Sequence, residues 1–237
     1  MNSRVKILLI AILFFGCTAQ QIQSISDVIG YEDELTADQV ASGLKEALVK
    51  GVSTGTQKVG RIDGYFKNPK IKIPFPPDVQ KVENTLRDIG LDSEVDRFVK
   101  TLNRGAEEAA KEAKPVFVSA IKQMTINDAW DILKGSDKEA ATNYLRRTTS
   151  DELRKKFSPI VKRALDQTNA TKYYSEIITR YNTIPLVDDV NPDLESYATQ
   201  KAMDGLFVMI ADEEKKIRAN PAARTTDLLK RVFKEQD

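Results

Sequence analysis

The most constraining feature of this sequence is a run of five large apolar residues, Leu206 to Ile210, inside a predicted helix. This helix is predicted to start at Pro192, with Asn191 as its N-cap, and to continue to about Arg218. Five consecutive apolar side chains cover every side of a helix, whereas a surface helix shows a single apolar stripe. The run is also too short to span a bilayer. The sequence therefore predicts a central helix that its neighbours bury on all sides.

The first 16 residues have the organisation of a secretory signal peptide. Arg4 and Lys6 precede nine apolar residues, 7–15, and polar residues follow Cys17. The letters FFGC at positions 14–17 resemble a bacterial lipobox, in which the cysteine becomes the lipidated first residue. The alternative is an ordinary signal peptide with a chance cysteine. A spanning helix is disfavoured because nine apolar residues cannot cross about 30 Å of hydrocarbon.

This signal divides the chain into three parts: a signal peptide at 1–16, a lipidated tether at 17–35 and a helical domain at 36–237. The tether is polar with scattered isoleucine and valine. We expect the chain to reside in the cell envelope, held in a membrane by lipid on Cys17. Thr18 follows the cysteine where aspartate would be an inner-membrane cue, so the expected location is the periplasmic face of the outer membrane.

The composition argues against several classes of function. There is no histidine, and the one cysteine allows neither an internal disulfide nor a thiolate metal site. Export would remove Arg4 and Lys6 from 36 basic residues, leaving 34 against 35 acidic ones and a net charge of −1. Such a balance does not favour nucleic acid as a partner. Phosphate loops, nucleophile elbows and calcium loops are absent from the sequence. We therefore predict no enzyme, no cofactor and no metal site.

Capping signals and apolar spacing predict an all-α fold, a single multi-helix domain with one or two short extended segments. A capping box at Thr36 starts the first helix, whose apolar face continues to about Tyr65. Gly51 and Gly55 lie four apart on this helix, which indicates close helix–helix contact, with a hinge as the alternative. Pro115 is expected to kink or restart a later helix.

Residues 68–77 break the helical pattern. Apolar residues alternate there with lysine and proline, as is typical of an extended edge segment. Such a segment could pair with the similar residues 183–187, or it could lie as a strap over the helices. Beyond residue 124, separate short helices are predicted from start signals at Thr125, Ser136, Thr149, Ser158 and Asn169, and a last helix is predicted at 226–234.

Tyrosines are concentrated in the second half of the chain. Tyrosine rings can line an apolar cavity with their hydroxyls at its mouth. The alternative is that they lie at the edge of the core, with hydroxyls reaching solvent. The residues of this possible ligand pocket are Tyr144, Tyr173, Tyr174, Tyr181 and Tyr197.

Four strings together carry a resemblance to a known family: NPKIKIPFP at 68–76, NRGAEEAA at 103–110, MTINDAWDIL at 124–133 and NPAARTT at 220–226. In this combination the chain resembles the bacterial envelope proteins grouped as domain of unknown function 4197, over roughly residues 36–234. The resemblance implies an exported, often lipidated, mostly helical protein. It implies no activity and transfers no functional residues.

Two functions therefore remain open. The first is a non-catalytic, lipid-anchored envelope protein with an interaction or scaffolding role towards an unknown envelope protein. The alternative is a carrier or binding protein for a lipid or other apolar ligand in a helical pocket.

Overall fold

The computed structural model describes residues 35–183, 190, 193–220, 224 and 226–234, with the backbone alone at positions 177, 180, 181, 229 and 234. Cys17 and the predicted signal peptide lie outside the described residues. Within them the fold is all-α, as predicted, and no strand is present. None of these helices combines the length and the apolarity that a bilayer crossing requires.

Nine α-helices make up the described domain. In chain order they are α1 Ala37–Val59, α2 Gln80–Asp88 (after a 3-10 turn at Pro77–Val79), α3 Asp92–Ala110, α4 Ala113–Gln123, α5 Ile126–Lys134, α6 Ala140–Asp166, α7 Ala170–Tyr181, α8 Leu194–Ala219 and α9 Asp227–Lys234. Pro115 falls in the first turn of α4, where its missing N–H has no helical partner to lose, so it restarts the helix as expected.

Helix α8 is the central post, packed against α1, α3 and α6. Leu206 and Phe207 are buried, as are Met209 and Ile210. The prediction of burial on every side was wrong at Val208, which is 39% exposed. That residue lies on a narrow solvent-facing strip of α8, seven residues from the exposed Lys201 and Lys215.

The start of α8 lies two residues later than predicted. The Asp193 side chain accepts a hydrogen bond from the Ser196 N–H at 2.9 Å and so acts as the N-cap. The predicted cap, Asn191 with Pro192, lies outside the described residues. An aspartate cap also suits the positive end of the helix dipole.

Close contact between α1 and α8 depends on two glycines, as predicted. A β-carbon on Gly51 would lie 3.6 Å from Ile217 Cδ1, and one on Gly55 would lie 3.3 Å from Ile210 Cγ1. The distance at Gly55 is tighter than ordinary contact, whereas a methyl group at Gly51 would make only ordinary contact. Gly55 therefore limits the separation of the two helices, and neither glycine interrupts α1.

Helix α6 corrects the prediction of three short helices between residues 136 and 166, because it is continuous for 27 residues. The Thr149 hydroxyl donates to the Leu145 carbonyl, and Ser150 donates to Arg146, each at 2.6 Å. These hydroxyls bond backwards within a helix and do not cap a new one. Pro159 lies inside α6 and removes only one backbone hydrogen bond.

The N-terminus of α6 is capped from a distance. Glu139 makes no side-chain cap there. The Glu214 carboxylate on α8 accepts instead from the Ala141 and Thr142 N–H groups, at 3.1 and 2.8 Å, and from the Thr142 hydroxyl at 2.8 Å. Arg218 pairs with the same carboxylate at 2.9 Å. A sequence window cannot contain such a cap, since its partner lies about 70 residues away.

The first helix ends at Val59 and not at Tyr65 as predicted. A β-carbon on Gly64 would lie 2.4 Å from the Val59 carbonyl oxygen, so only glycine fits this turn. The buried Tyr65 donates its hydroxyl to the Ala202 carbonyl at 2.6 Å. Its N–H donates to the buried Glu107 carboxylate at 3.1 Å. The apolar spacing continued past the helix because Tyr65 is a core residue of the turn.

Residues 68–77 form the strap that was one of the two expectations. Ile71, Ile73 and Phe75 are buried, while Lys70 and Lys72 face solvent. The alternation was therefore predicted correctly. Pairing with 183–187 is not described, since of these residues only Thr183 lies within the described part of the chain.

Candidate binding groove

An open surface groove of about 500 Å³ lies between α3, the strap and the corner that joins α6 to α7. We call it the Tyr174 groove. Its lining is mostly apolar: Phe75, Leu86, Glu94, Val95, Arg97, Phe98, Thr101, Gln167, Thr168, Asn169, Ala170, Tyr173 and Tyr174. A volume of this size is in the range of small-molecule and peptide side-chain sites.

Three aromatic rings in contact with one another form the floor of the groove. The ring centroids of Phe75 and Phe98 are 4.9 Å apart and tilted by 43°. Phe98 and Tyr174 are 6.3 Å apart and nearly parallel, at 19°. Phe75 and Tyr174 are buried, whereas Tyr173 on the rim is 57% exposed. The floor is therefore a fixed apolar surface with one aromatic ring free at its edge.

Asn103 holds the strap, and with it Phe75, against α3. The Asn103 side chain is fully buried. It accepts from the Ile73 N–H at 2.9 Å and donates to the Ile73 carbonyl at 2.8 Å. It also donates to the Val99 carbonyl on its own helix at 2.8 Å. One amide thus satisfies both backbone groups of a strap residue that no strand pairs.

Helix α2 forms a loosely attached roof. None of its nine residues is buried, although Leu86 lines the groove. Arg87 ties this roof to α3 through ion pairs with Asp92 and Asp96 at 3.3 and 3.1 Å, and it also pairs with Glu83 of its own helix at 2.9 Å. The link to α3 passes through Gly90 at φ +85°, a conformation that favours glycine.

A second cleft of about 390 Å³, the Tyr197 cleft, adjoins the groove and shares Tyr174 with it. It is more polar and is lined also by Asp78, Arg154, Asp193, Gln200 and Lys201. The Tyr197 hydroxyl donates to the Pro74 carbonyl at 3.3 Å. Burial raises the pKa of Tyr174 and of Tyr197 to about 12. Both phenols are therefore neutral near pH 7 and remain hydrogen-bond donors.

The structure brings together some of the tyrosines of the predicted pocket. Tyr173 and Tyr174 line the groove, and Tyr197 lies in the adjoining cleft. Tyr144 lies elsewhere, buried beneath Arg147, whose guanidinium is 5.7 Å from the ring centroid. The side chain of Tyr181 and Cys17, the predicted lipidation residue, lie outside the described residues.

Sequence reasoning missed the two phenylalanines of the floor. Phe75 was recognised only as part of the alternating residues 68–77, and Phe98 was not singled out. No local signal joins residues 23 positions apart; they meet because the strap packs on α3, where Asn103 holds Ile73. The strap pattern and the NRGAEEAA string, which contains Asn103, were the available hints.

The acidic clusters of the described chain are engaged in structure. Asp128 completes a capping box with Thr125. Glu213 pairs with Lys58 and Lys216 at 2.6 and 2.9 Å. Over the described ranges, no group of three histidine, cysteine, aspartate or glutamate side chains is arranged to hold a metal ion.

The comparison with protein families gives one finding. A family model described as a protein of unknown function, DUF4197, matches residues 34–234. No curated protein and no solved structure matches the chain.

Proposed function

We propose, from the premise that this chain belongs to the DUF4197 family, that it is a non-catalytic, lipid-anchored protein of the cell envelope. Its role is to bind an apolar segment of an envelope partner in the Tyr174 groove. The observation that carries this proposal is the aromatic floor of Phe75, Phe98 and Tyr174, which is preformed and open to solvent.

The open shape of the groove favours a segment of a larger molecule as its occupant. The partner chain can enter and leave along the surface while one or two apolar side chains fill the floor. Glu94 and Arg97 on the rim, with the exposed Tyr173, offer charge and hydrogen bonding to its backbone. Aromatic floors with polar rims are the usual composition of such interfaces.

The small cavity in the core supports the same choice. It lies among Leu44, Leu48, Leu145, Ile210 and Phe233, is apolar, and measures about 20 Å³. This is little more than the space of one water, whereas an acyl chain needs several hundred cubic ångströms. Among the described residues, the surface groove is the better candidate for a ligand.

Anchoring through Cys17 is the second part of the proposal. A diacylglyceryl group and an N-acyl chain on this residue would supply two or three chains, each methylene contributing about 0.8 kcal/mol of membrane affinity. One chain of about 14 carbons anchors only marginally, so several are needed for durable attachment. Labelled fatty acid fed to the native host should enter the wild-type protein and not Cys17→Ser. Absence of label from the wild type would disprove the anchor.

Site-specific photocrosslinking tests the groove. A benzophenone amino acid at position 173 should crosslink to one defined envelope protein, whereas the same probe at the exposed Ile126 should not. Thr101→Trp, which fills the groove from its α3 wall, should abolish the crosslink without lowering the melting temperature. Lys155→Trp on the exposed face of α6 is the matched control and should leave the crosslink intact. Equal crosslinking in both tryptophan variants would contradict the proposal.

The volume of the groove favours one alternative, a carrier of a small apolar ligand. About 500 Å³ is enough for a drug-sized molecule. Native mass spectrometry of the purified protein would then show a bound small molecule that Thr101→Trp loses and Lys155→Trp retains. Such a result, without a protein crosslink at position 173, would replace partner binding with carriage.

A further inference from the structure

The turn formed by residues 60–67, which we call the Ile62 turn, presents an apolar side chain to solvent. Ile62 is 78% exposed, more than any other large apolar side chain that the structure describes. Single exposed apolar residues are common on protein surfaces. The surroundings of this one distinguish it, because they combine a rigid support, a basic surface and a groove.

The turn is held firmly on the side away from solvent. Asp63 adopts φ +66° and pairs with Lys67 at 2.8 Å and with Arg104 at 2.6 Å. The N–H groups of Tyr65 and Phe66 both donate to Glu107, at 3.1 Å each. Arg104 also pairs with Glu107. These contacts fix the turn, so the exposure of Ile62 is a built-in property and not the fraying of a helix end.

Basic residues surround the Ile62 turn. Between positions 58 and 72 there is one acidic residue, Asp63, and there are five basic ones: Lys58, Arg61, Lys67, Lys70 and Lys72. Asp63, Asp212 and Glu213 offset three of these charges by pairing with Lys67, Lys70 and Lys58, whereas Arg61 and Lys72 form no ion pair with any residue that the structure describes. The chain as a whole is nearly neutral at +1, so this positive charge is a local feature.

An open groove of about 550 Å³ lies beside the isoleucine. Its lining combines three basic residues and one acidic residue with neutral ones: Lys58, Arg61, Lys67, Asp63, Ile62, Gly64, Asn68, Pro69 and Met209. A phosphodiester group is of a size and charge to enter such a groove while a neighbouring apolar side chain lies in hydrocarbon.

We propose that the Ile62 turn is a membrane-docking surface for anionic phospholipid, with Ile62 inserted among acyl chains and the basic side chains on the headgroups. A protein partner is the less suitable occupant. Lysine is depleted in protein interfaces, yet four of the five basic residues here are lysines, around a single apolar tip. Long basic side chains that reach headgroups while their stems lie on apolar surface are typical of membrane contact.

This surface is independent of the Tyr174 groove and of lipid on Cys17. A lipid anchor would only hold the domain near a membrane, whereas the Ile62 turn would fix which side of the domain faces it. Failure of either part of the proposed function would therefore leave this inference standing. Failure of this inference would likewise leave the proposed function standing.

Tryptophan fluorescence of the full chain tests it. Ile62→Trp is made in a Trp130→Phe background, so that one tryptophan reports on position 62. In vesicles of phosphatidylglycerol and phosphatidylethanolamine, its emission should shift to the blue and brominated acyl chains should quench it. In phosphatidylcholine vesicles the quenching should be lost. Ile126→Trp in the same background is the control. Its emission should stay unquenched in both kinds of vesicle, whether or not the N-terminal segment itself enters the bilayer.

Charge reversal completes the test. Arg61→Glu with Lys72→Glu should abolish quenching at position 62 in the anionic vesicles, because each basic residue near such a surface contributes roughly fivefold in affinity. Lys155→Glu with Lys156→Glu changes the net charge equally on a different helix and should leave the quenching in place. Two results would overturn the proposal: no quenching of Ile62→Trp when the basic residues are intact, or an equal loss of quenching in both charge-reversed variants. A soluble partner would then be the better occupant of the Ile62 turn.

Discussion

The ring of Tyr65 lies directly over the α-carbon of Gly205, where Tyr65 Cε1 would be 2.6 Å from a β-carbon. The ring cannot withdraw, because its hydroxyl donates to the Ala202 carbonyl one turn earlier on α8. Ile71 of the strap lies against the same glycine, with its Cβ 3.1 Å from that position. Tyr65 from the turn and Ile71 from the strap therefore fill the space beside Gly205 that a side chain on α8 would occupy.

Gly205→Ala should therefore destabilise the domain, by about 1–3 kcal/mol from overpacking. Gly51→Ala is the matched control, since its β-carbon would meet Ile217 only at an ordinary 3.6 Å. Alanine also raises helix propensity by up to about 1 kcal/mol, so this variant should be neutral or more stable. Urea unfolding of both variants checks the opposite signs, and equal losses would contradict the account.

The two sides of the apolar run should respond differently to charge. Leu206→Asp places an unpaired carboxylate in a fully buried position and should cost several kcal/mol, enough to prevent stable folding of a domain worth about 5–15 kcal/mol. Val208→Asp lies on the exposed strip and should change the unfolding free energy by less than about 1 kcal/mol. Circular dichroism melts of the two variants distinguish them, and comparable melting would contradict the packing of α8.

Removal of the Asn103 amide should loosen the strap. Asn103→Ala leaves both the N–H and the carbonyl of Ile73 buried without partners, at a cost of about 2–4 kcal/mol. Asn143→Ala removes an exposed amide that bonds to Asp137 at 2.9 Å and should be nearly neutral. Chemical denaturation gives the two free energies. A small loss for Asn103→Ala would show that water or another group replaces the amide.

The ion pairs of Glu213 predict a dependence of stability on pH. Burial opposes ionisation, but Lys216 and Lys58 hold the pKa of Glu213 below its ordinary value of 4.5. A lowered folded-state pKa stabilises the fold above pH 4.5, and this contribution is lost as the pH falls through the folded value. Glu213→Gln should therefore cost roughly 1 kcal/mol at pH 7 and progressively less towards pH 3.

Urea titrations of wild type and Glu213→Gln at several pH values measure that difference. Glu152→Gln, at an exposed position on α6, serves as the control and should show a small difference that hardly varies. A gap between wild type and Glu213→Gln that widens on acidification would reverse the sign and refute the role of the two lysines.

Local chemistry predicted much of this fold from the sequence. The capping boxes at Thr36 and Thr125 lie where they were expected, because the bonds that define them span three residues. The glycine pair of α1 was recognisable from its spacing. Start signals at Thr149 and Ser158 were misleading, because the Thr149 hydroxyl donates back to the Leu145 carbonyl within the helix and the Ser158 hydroxyl donates to Glu195 on α8.

The groove was less predictable for a physical reason. Tyr173 and Tyr174 were identified by composition, but Phe75 and Phe98 join them through tertiary contacts, among them the Asn103 contact with Ile73 across 30 positions. The burial of Tyr144 in another part of the domain could not be predicted either. Helical spacing shows on which face of its helix a residue lies, but not which element packs against that face. The candidate site on the surface is likewise built by tertiary contacts, whereas the helix caps are built by residues close in sequence.

The weak attachment of α2 makes the roof of the groove a separate kinetic unit. None of its nine residues is fully buried, and the ion pairs of Arg87 with Asp92 and Asp96 join it to α3. Unfolding or displacement of this helix costs far less than opening the core, so its amides should exchange with solvent through brief local excursions. Since salt screens surface ion pairs, these excursions become more frequent at high ionic strength. The lifetime of anything bound beneath α2 would then be set by the salt around the protein as much as by its own contacts with the aromatic floor.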